Sequence, residues 1–336
     1  MAHPDLSHVR LHVVTGKGGT GKTTVASAVA VALARQGRRV LIAEVEGRQG
    51  ISQTFDVPPL GHTETRILHD RSGGEVWGLS VDPKESLLEY LQKFYKAGRA
   101  GSVLEKFGAI DFATTIAPGV RDVLLIGKVY EAAGRRAGGR DTRSGRPHGE
   151  LAYDAVVLDA PPTGRVVRFL NVNAEVADVA RVGPIRSQAD SITRMVRSHT
   201  TAVHVVTLLE EMPVQETVDA LAELRSAQLP LGAIVVNQVR EPLLSEPTLR
   251  AIGRSRPTTG VASDLKAAGV AVTNGMASAL VTEAREYRDR LDLEERLAEV
   301  VREQGRLVAR LPYLPEGVES GGIALLAGAS AEQGLV

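Results

Sequence analysis

Cysteine is absent from the 336-residue chain. That excludes an internal disulfide, a zinc–thiolate site, an iron–sulfur cluster and a cysteine nucleophile. Net charge is absent as well: 40 Lys and Arg residues balance 40 Asp and Glu residues. Such a chain has no global bias toward nucleic acid or acidic membranes. Long apolar runs are missing too, since none reaches the roughly 20 residues that span a bilayer. The opening stretch "MAHPDLSHVRLHVV" has no long apolar core of a secretory signal. The expected setting is the cytoplasm, with any membrane link peripheral at its inner face or made through a partner. His3, His8 and His12 are too scattered to suggest a metal site and read as surface or tag-like residues.

What is present suits a globular protein with a sizeable core: 43% hydrophobic and 24% charged residues. Leu11 to Thr15 is a short apolar run ending in glycine, which reads as a buried strand. Lys22 to Gln36 is rich in Ala and Val and stops at Gly37, as a helix does. "RRVLIAEVE" (38–46) and "VWGLSVD" (76–82) read as further strands. Between 84 and 136 the spacing turns helical, with no convincing strand, so this segment reads as a helical insertion. The Gly/Arg-rich stretch 137–150 reads as a flexible loop. Apolar runs then return in "YDAVVLDAPP" (153–162), "AVHVVTLLE" (202–210) and "LGAIVVNQV" (231–239). Near-continuous apolar strands belong to a sheet covered on both faces. Ser263 to Glu303 reads as mostly helical and charged, 306–322 as a last strand and turn, and 323–336 as a loosely ordered tail. The expectation is one α/β domain over 1–336, with a doubly wound, mostly parallel sheet and a helical insertion.

"VTGKGGTGKTTVASAVAVAL" (14–33) carries the chemistry. Gly16, Gly21, Lys22 and Thr23 fill the G-x-x-x-x-G-K-[ST] template between a strand and a helix. Glycines let backbone N–H groups wrap a phosphate at the helix N-terminus. Gly16 to Thr24, including Gly18, Gly19 and Thr20, is therefore the candidate nucleotide cradle. Lys22 would reach the β and γ phosphates of ATP, and Thr23 would ligate Mg²⁺.

Lys17 is a second lysine, directly after the first glycine. The pattern G-K-G-G-T-G-K-T-T resembles the deviant phosphate loop of one NTPase class. That class includes arsenite-pump and tail-anchored-protein-targeting ATPases, partitioning and division-site ATPases, and the nitrogenase iron protein. The resemblance implies a dimer, homodimeric or with a related ATPase chain, in which Lys17 reaches across to the partner's nucleotide. A cation arriving in trans neutralises charge on the transferring phosphoryl group. "DAPPTGRVVRFL" (159–170) is similar to the second switch of the arsenite-pump and tail-anchored-targeting branch. It implies that Asp159 holds Mg²⁺ through water and that Pro162, Thr163 and Gly164 report the γ-phosphate. "APGVRDVLLIGKVYE" (117–131) and the Glu216–Thr217 pair also resemble that branch. Asn237 matches an asparagine that reads adenine, and Pro315 lies where a C-terminal loop closes the base pocket.

The chain departs from this family at the first switch, usually D-P-A-H. "EVEGRQG" stands there, which places Glu46 at the catalytic carboxylate and Gly47, Arg48 and Gln49 after it. A glutamate can position or deprotonate water, one methylene farther out. Without cysteine the zinc clamp of targeting members and the metalloid thiolates of the pumps are both impossible. The insertion offers Leu87, Leu88, Leu91, Phe94, Tyr95, Leu104, Phe107, Phe112 and Val123 to Ile126, which read as packing onto the domain rather than a client groove. The favoured function is an ATP-hydrolysing dimer coupled to a protein or membrane client. A partitioning-type ATPase is the alternative, though the C-terminus lacks a basic amphipathic helix. A nucleotide-gated scaffold working with a paralogue is another. No specific nucleic-acid partner is expected.

Overall fold

The computed structural model describes residues 5–45, 47–94, 118–136, 149–172, 184–245, 247–248, 258–273, 275–319 and 321–336. Its strands are β1 (Leu11–Gly16), β2 (Arg39–Glu44), β3 (Thr65–His69), β4 (Glu75–Ser80), β5 (Ala155–Asp159), β6 (Thr201–Thr207), β7 (Leu231–Val239) and β8 (Val308–Pro312). They form one sheet in the order β3-β4-β2-β5-β1-β6-β7-β8. Every pair is parallel except β3 with β4, which is antiparallel. The expected α/β fold with a mostly parallel sheet is observed.

Alternation along the central strands builds two cores. Leu11 and Val13, Leu41 and Ala43, Val156 and Leu158, and Val203 and Val205 face one side. Val14, Val40, Ile42, Ala155, Val157, Ala202 and Val206 face the other. Successive side chains of a strand point to opposite faces, so a strand buried on both sides is apolar at most positions, with His12 of β1 and His204 of β6 as buried exceptions.

Helices cover both faces. On the second face lie α1 (Lys22–Arg35), α2 (Gly50–Phe55) and, packed along α1, the last helix of the chain. The first face carries α4 (Pro118–Gly134), α5 (Thr163–Leu170), α6 (Pro184–Val196) and α7 (Glu211–Ser226). Helix α3 (Pro83–Phe94) packs on α4. Two further helices, α8 (Thr258–Ala267) and α9 (Met276–Arg302), pack on each other. Helix α9 is long and charged and buries only Ala277, Ala298 and Val301. Val123, Leu125 and Ile126 of the insertion sit in the first core, and Leu124 is buried as well. Tyr95, Leu104, Phe107, Phe112 and residues 137–148 of the expected loop lie outside the described residues.

Two expectations need correction, and two short elements were not anticipated. The tail is not loose: Gly322–Glu332 forms helix α10, which buries Ile323, Leu326, Ala327 and Ser330. Small residues on α10 and the alanine-rich α1 let the two helices approach closely. The edge strand β3 and the six-residue helix α2 went unread, because both are short and β3 is largely exposed. His12 is not a surface residue. It is fully buried on β1 and stacks on His204 of β6, with Nδ1 and Nε2 3.1 Å apart.

Candidate nucleotide-binding site

The carboxyl ends of β1, β2 and β5 converge on a cavity of about 270 Å³. Gly19, Gly21, Lys22, Thr23, Glu44, Arg48, Asp159 and Ala160 line it. In open α/β sheets the crevice beyond the strand ends is where ligands bind.

The loop from Gly16 to Gly21 is glycine-rich for two steric reasons. A Cβ on Gly16 would lie 2.3 Å from the carbonyl oxygen of Val206 on the neighbouring strand. Gly21 adopts φ +86°, and a Cβ there would lie 2.3 Å from Asn237 Nδ2. Between them the loop is tied internally: Thr20 Oγ1 donates to the Lys17 carbonyl at 2.9 Å, and Lys22 Nζ donates to the same oxygen at 3.2 Å. Lys22 is buried and held back over the loop it serves. Gly18 and Gly19 are exposed, and Thr24 follows Thr23 on the first turn of α1.

The two lysines point different ways. Lys22 lines the cavity. Lys17 is not among the lining residues, and its Nζ pairs with Glu216 Oε1 on α7 at 2.8 Å.

Asp159 ends β5 in register with Glu44 at the end of β2. Thr23 Oγ1 donates to Asp159 Oδ2 at 2.6 Å, so the loop's hydroxyl and the strand-end carboxylate meet. This donor set of hydroxyl, carboxylate and space for phosphate oxygens fits Mg²⁺, which prefers hard oxygen ligands and keeps several waters. Among the described residues no cluster of three or more His, Cys, Asp or Glu could hold a metal alone. A nucleotide-borne Mg²⁺ needs no such cluster. The chain after Asp159 is anchored by Thr15 Oγ1 donating to the Pro161 carbonyl at 2.7 Å and by Ala160 N–H donating to Val14 O at 2.9 Å. Pro162 then precedes α5, its carbonyl accepting from the N–H groups of Arg165 and Val166. Thr163 is buried and Gly164 exposed at the start of that helix.

Glu44 is the residue the sequence reading missed. It is 3% exposed. Its Oε1 accepts from Gln49 N–H at 3.0 Å and Ser80 Oγ at 2.8 Å, and its Oε2 from Ile51 N–H at 3.4 Å. Both oxygens therefore pin the segment that follows β2 and turn it back over the strand end. Gln49, at φ 56°, is clamped on the other side by its amide, which exchanges two hydrogen bonds with the backbone of Leu60. Glu46, the carboxylate expected at the first switch, lies outside the described residues. Arg48 lines the cavity.

Asn237 sits near the end of β7, 6% exposed, and its Nδ2 donates to the Thr20 carbonyl at 2.9 Å. One amide hydrogen is thus committed to the phosphate loop, leaving the Oδ1 acceptor for a base amino group. Pro315 is exposed in the turn after β8 and does not line the cavity. At the same edge Arg240 stacks over Tyr313, 4.3 Å from its ring centroid.

Comparison with known proteins agrees with this geometry. The model of the anion-transporting ATPase family matches residues 9–198, which include the phosphate loop, Glu44 and Asp159. ATPase BagA of Mycobacterium tuberculosis is 42% identical over 331 residues, covering 98% of this chain and 95% of that protein. This chain belongs to the anion-transporting ATPase family. It is an ATPase. More distant relatives include ATPase ARSA1 of Chlamydomonas reinhardtii, 23% identical over 71% of this chain and 36% of its own length. ATPase ASNA1 homolog 1 of Paramecium tetraurelia is 28% identical over 47% of this chain and 42% of its own. No described helix of this ATPase is long and apolar enough to cross a membrane.

Proposed function

We propose that this ATPase hydrolyses Mg-ATP as a dimer, in which each Lys17 completes the partner's site. The observation that carries the reading is the division between the two lysines: Lys22 faces its own cavity while Lys17 faces away from it. Within one chain, the backbone of Gly16 to Thr24 and Lys22 would hold the phosphates, and Thr23 and Asp159 the magnesium. Magnesium would neutralise charge on the β and γ phosphates and fix their geometry. Asn237 would accept from the base amino group through Oδ1, with Pro315 closing over the base. Glu46 would orient the attacking water. Lys17 from the second subunit would meet charge developing at the γ-phosphoryl group. The segment Asp159 to Gly164 starts at the magnesium position and runs into α5. It is suited to couple nucleotide state to opening and closing of the pair. The client is proposed to be a protein or a membrane component, met at the cytoplasmic side.

The test is phosphate release per molecule as protein concentration rises, with and without Lys17→Ala. Turnover that climbs with concentration and collapses in the variant supports the dimer. Constant turnover that survives the substitution sinks it.

A further inference from the structure

Resting on the dimer reading, we infer that Glu216 is the positioning residue for Lys17, holding it within its own chain until a partner's nucleotide displaces the carboxylate. The two side chains are 199 positions apart in sequence and meet at 2.8 Å. Glu216 is borne by a rigid element. Helix α7 packs against β6 and α5 and buries Val214, Thr217, Ala220, Leu221 and Leu224. Thr217 Oγ1 further donates to the Pro213 carbonyl at 2.8 Å, inside the same turn. Lys17 is borne by a loop whose backbone is fixed by Thr20 and Lys22 through the Lys17 carbonyl, so only its side chain is free to swing. The carboxylate therefore sets where the ammonium rests, away from the cavity lined by Lys22.

The pair is built to release. Its side chains are 32% and 34% exposed, and ion pairs of that exposure shift an equilibrium by only about 1.4- to 5-fold. The phosphates of a nucleotide outcompete a single half-exposed carboxylate, because they carry several charges where it carries one. An interaction made in the resting chain and lost in the dimer favours the resting chain. Closing a symmetric dimer breaks two such pairs, so the effects multiply to about 2- to 30-fold in the dimer dissociation constant. Glu216 thereby raises the concentration at which two copies engage.

The experiment is sedimentation equilibrium of the full chain with magnesium and a non-hydrolysable ATP analogue. It compares wild type, Glu216→Gln, Lys17→Ala and the double variant. The expected result is a dissociation constant about 2- to 30-fold lower for Glu216→Gln, with no change when the same substitution is made on Lys17→Ala. A constant that is unchanged or higher in Glu216→Gln overturns the inference and leaves the dimer standing. An equal drop on the Lys17→Ala background also overturns it, because Glu216 would then act without Lys17. A wild-type chain that stays monomeric at every concentration overturns the dimer and this inference together.

Discussion

Lowering the pH from 7 to 5 should weaken the fold well before its surface carboxylates titrate, through two histidines in the middle of the sheet. His204 Nδ1 accepts the N–H of Ala233 at 3.2 Å, so that nitrogen carries no proton. Its Nε2–H must then be the donor to His12 Nδ1, 3.1 Å away. The tautomers of both rings are thus fixed by the network, and both rings are neutral. Protonating His204 would set two N–H groups against each other at Ala233, and protonating His12 would do the same between the rings. Each would also place a charge in a site with no solvent exposure. Burial accordingly pushes His204 down to about 4 from 6.5. Burial, then the neighbouring His204, then Arg38 push His12 well below its ordinary value. Linkage gives the direction. The unfolded chain binds protons near pH 6.5 and the native chain does not, so stability is full above that pH and falls as pH drops toward 4. Each tenfold loss of proton affinity on folding corresponds to about 1.4 kcal/mol, so His204 alone should remove roughly 2 kcal/mol by pH 5 and roughly 3 by pH 4. That is a large share of an ordinary folding free energy of about 5–15 kcal/mol. Urea unfolding at pH 7.5, 6.5, 5.5 and 5.0 reads it directly. Carboxylates with lowered values, such as Asp70 and Glu75, lose their contribution only below their ordinary range near 4, so the windows separate. His204→Asn keeps an acceptor for Ala233 and should flatten the slope by about one proton. An unfolding free energy that does not change between pH 6.5 and 5, or imidazole resonances of this pair titrating near pH 6.5, would refute the reasoning.

Gly21→Ala should weaken ATP binding about 5- to 30-fold, from a left-handed conformation that costs about 1–2 kcal/mol with a Cβ. A Cβ at Gly21 also displaces Asn237, so the loss should show in a nucleotide titration, and unchanged affinity would refute the steric reading of this loop. Leu326→Ala should cost roughly 2–5 kcal/mol in chemical denaturation, because the side chain is 2% exposed between α10 and α1. Leu325→Ala, whose side chain is exposed on the same helix, should stay within about 0.5 kcal/mol, and equal effects would return the C-terminus to a loose tail.

How much was legible depended on whether a residue acts through its neighbours in sequence. The phosphate loop and central strands are readable because their signals are local: glycines at a strand–helix junction and near-continuous apolar runs. Helix α10 is not legible in "GGIALLAGASAEQG" alone, where Gly328 interrupts a short apolar stretch. Its stability comes from burial against α1, 289 residues away at the Arg35–Ala324 hydrogen bond. Glu44 was passed over for Glu46 for a similar reason. At the end of an apolar strand either carboxylate fits a switch. Only the fold shows the N–H groups of Gln49 and Ile51 turning back onto Glu44. His12 looks isolated among scattered histidines in the sequence, and its partner lies 192 residues on.

The same long-range pairings suggest how nucleotide state would reach Lys17 in the proposed dimer. Thr15 holds Pro161, and Thr23 holds Asp159, so both ends of the short link between β5 and Pro162 are fastened to the phosphate loop and its strand. A γ-phosphate that draws on Thr23 therefore pulls on the start of α5 rather than on slack chain. Helix α5 buries Val166, Phe169 and Leu170 and packs against α7, the helix that presents Glu216 to Lys17. Packed interiors transmit small shifts because they have little room to absorb them. The expected order is binding first, then movement at Pro162 to Gly164, then displacement of Lys17 from Glu216 by the partner's nucleotide. Hydrogen exchange on adding the Mg-ATP analogue to Lys17→Ala should thus still alter protection in α5, since the switch lies upstream of the lysine. Protection that changes only when Lys17 is intact would reverse that order and make dimer contact the cause of the switch rather than its consequence.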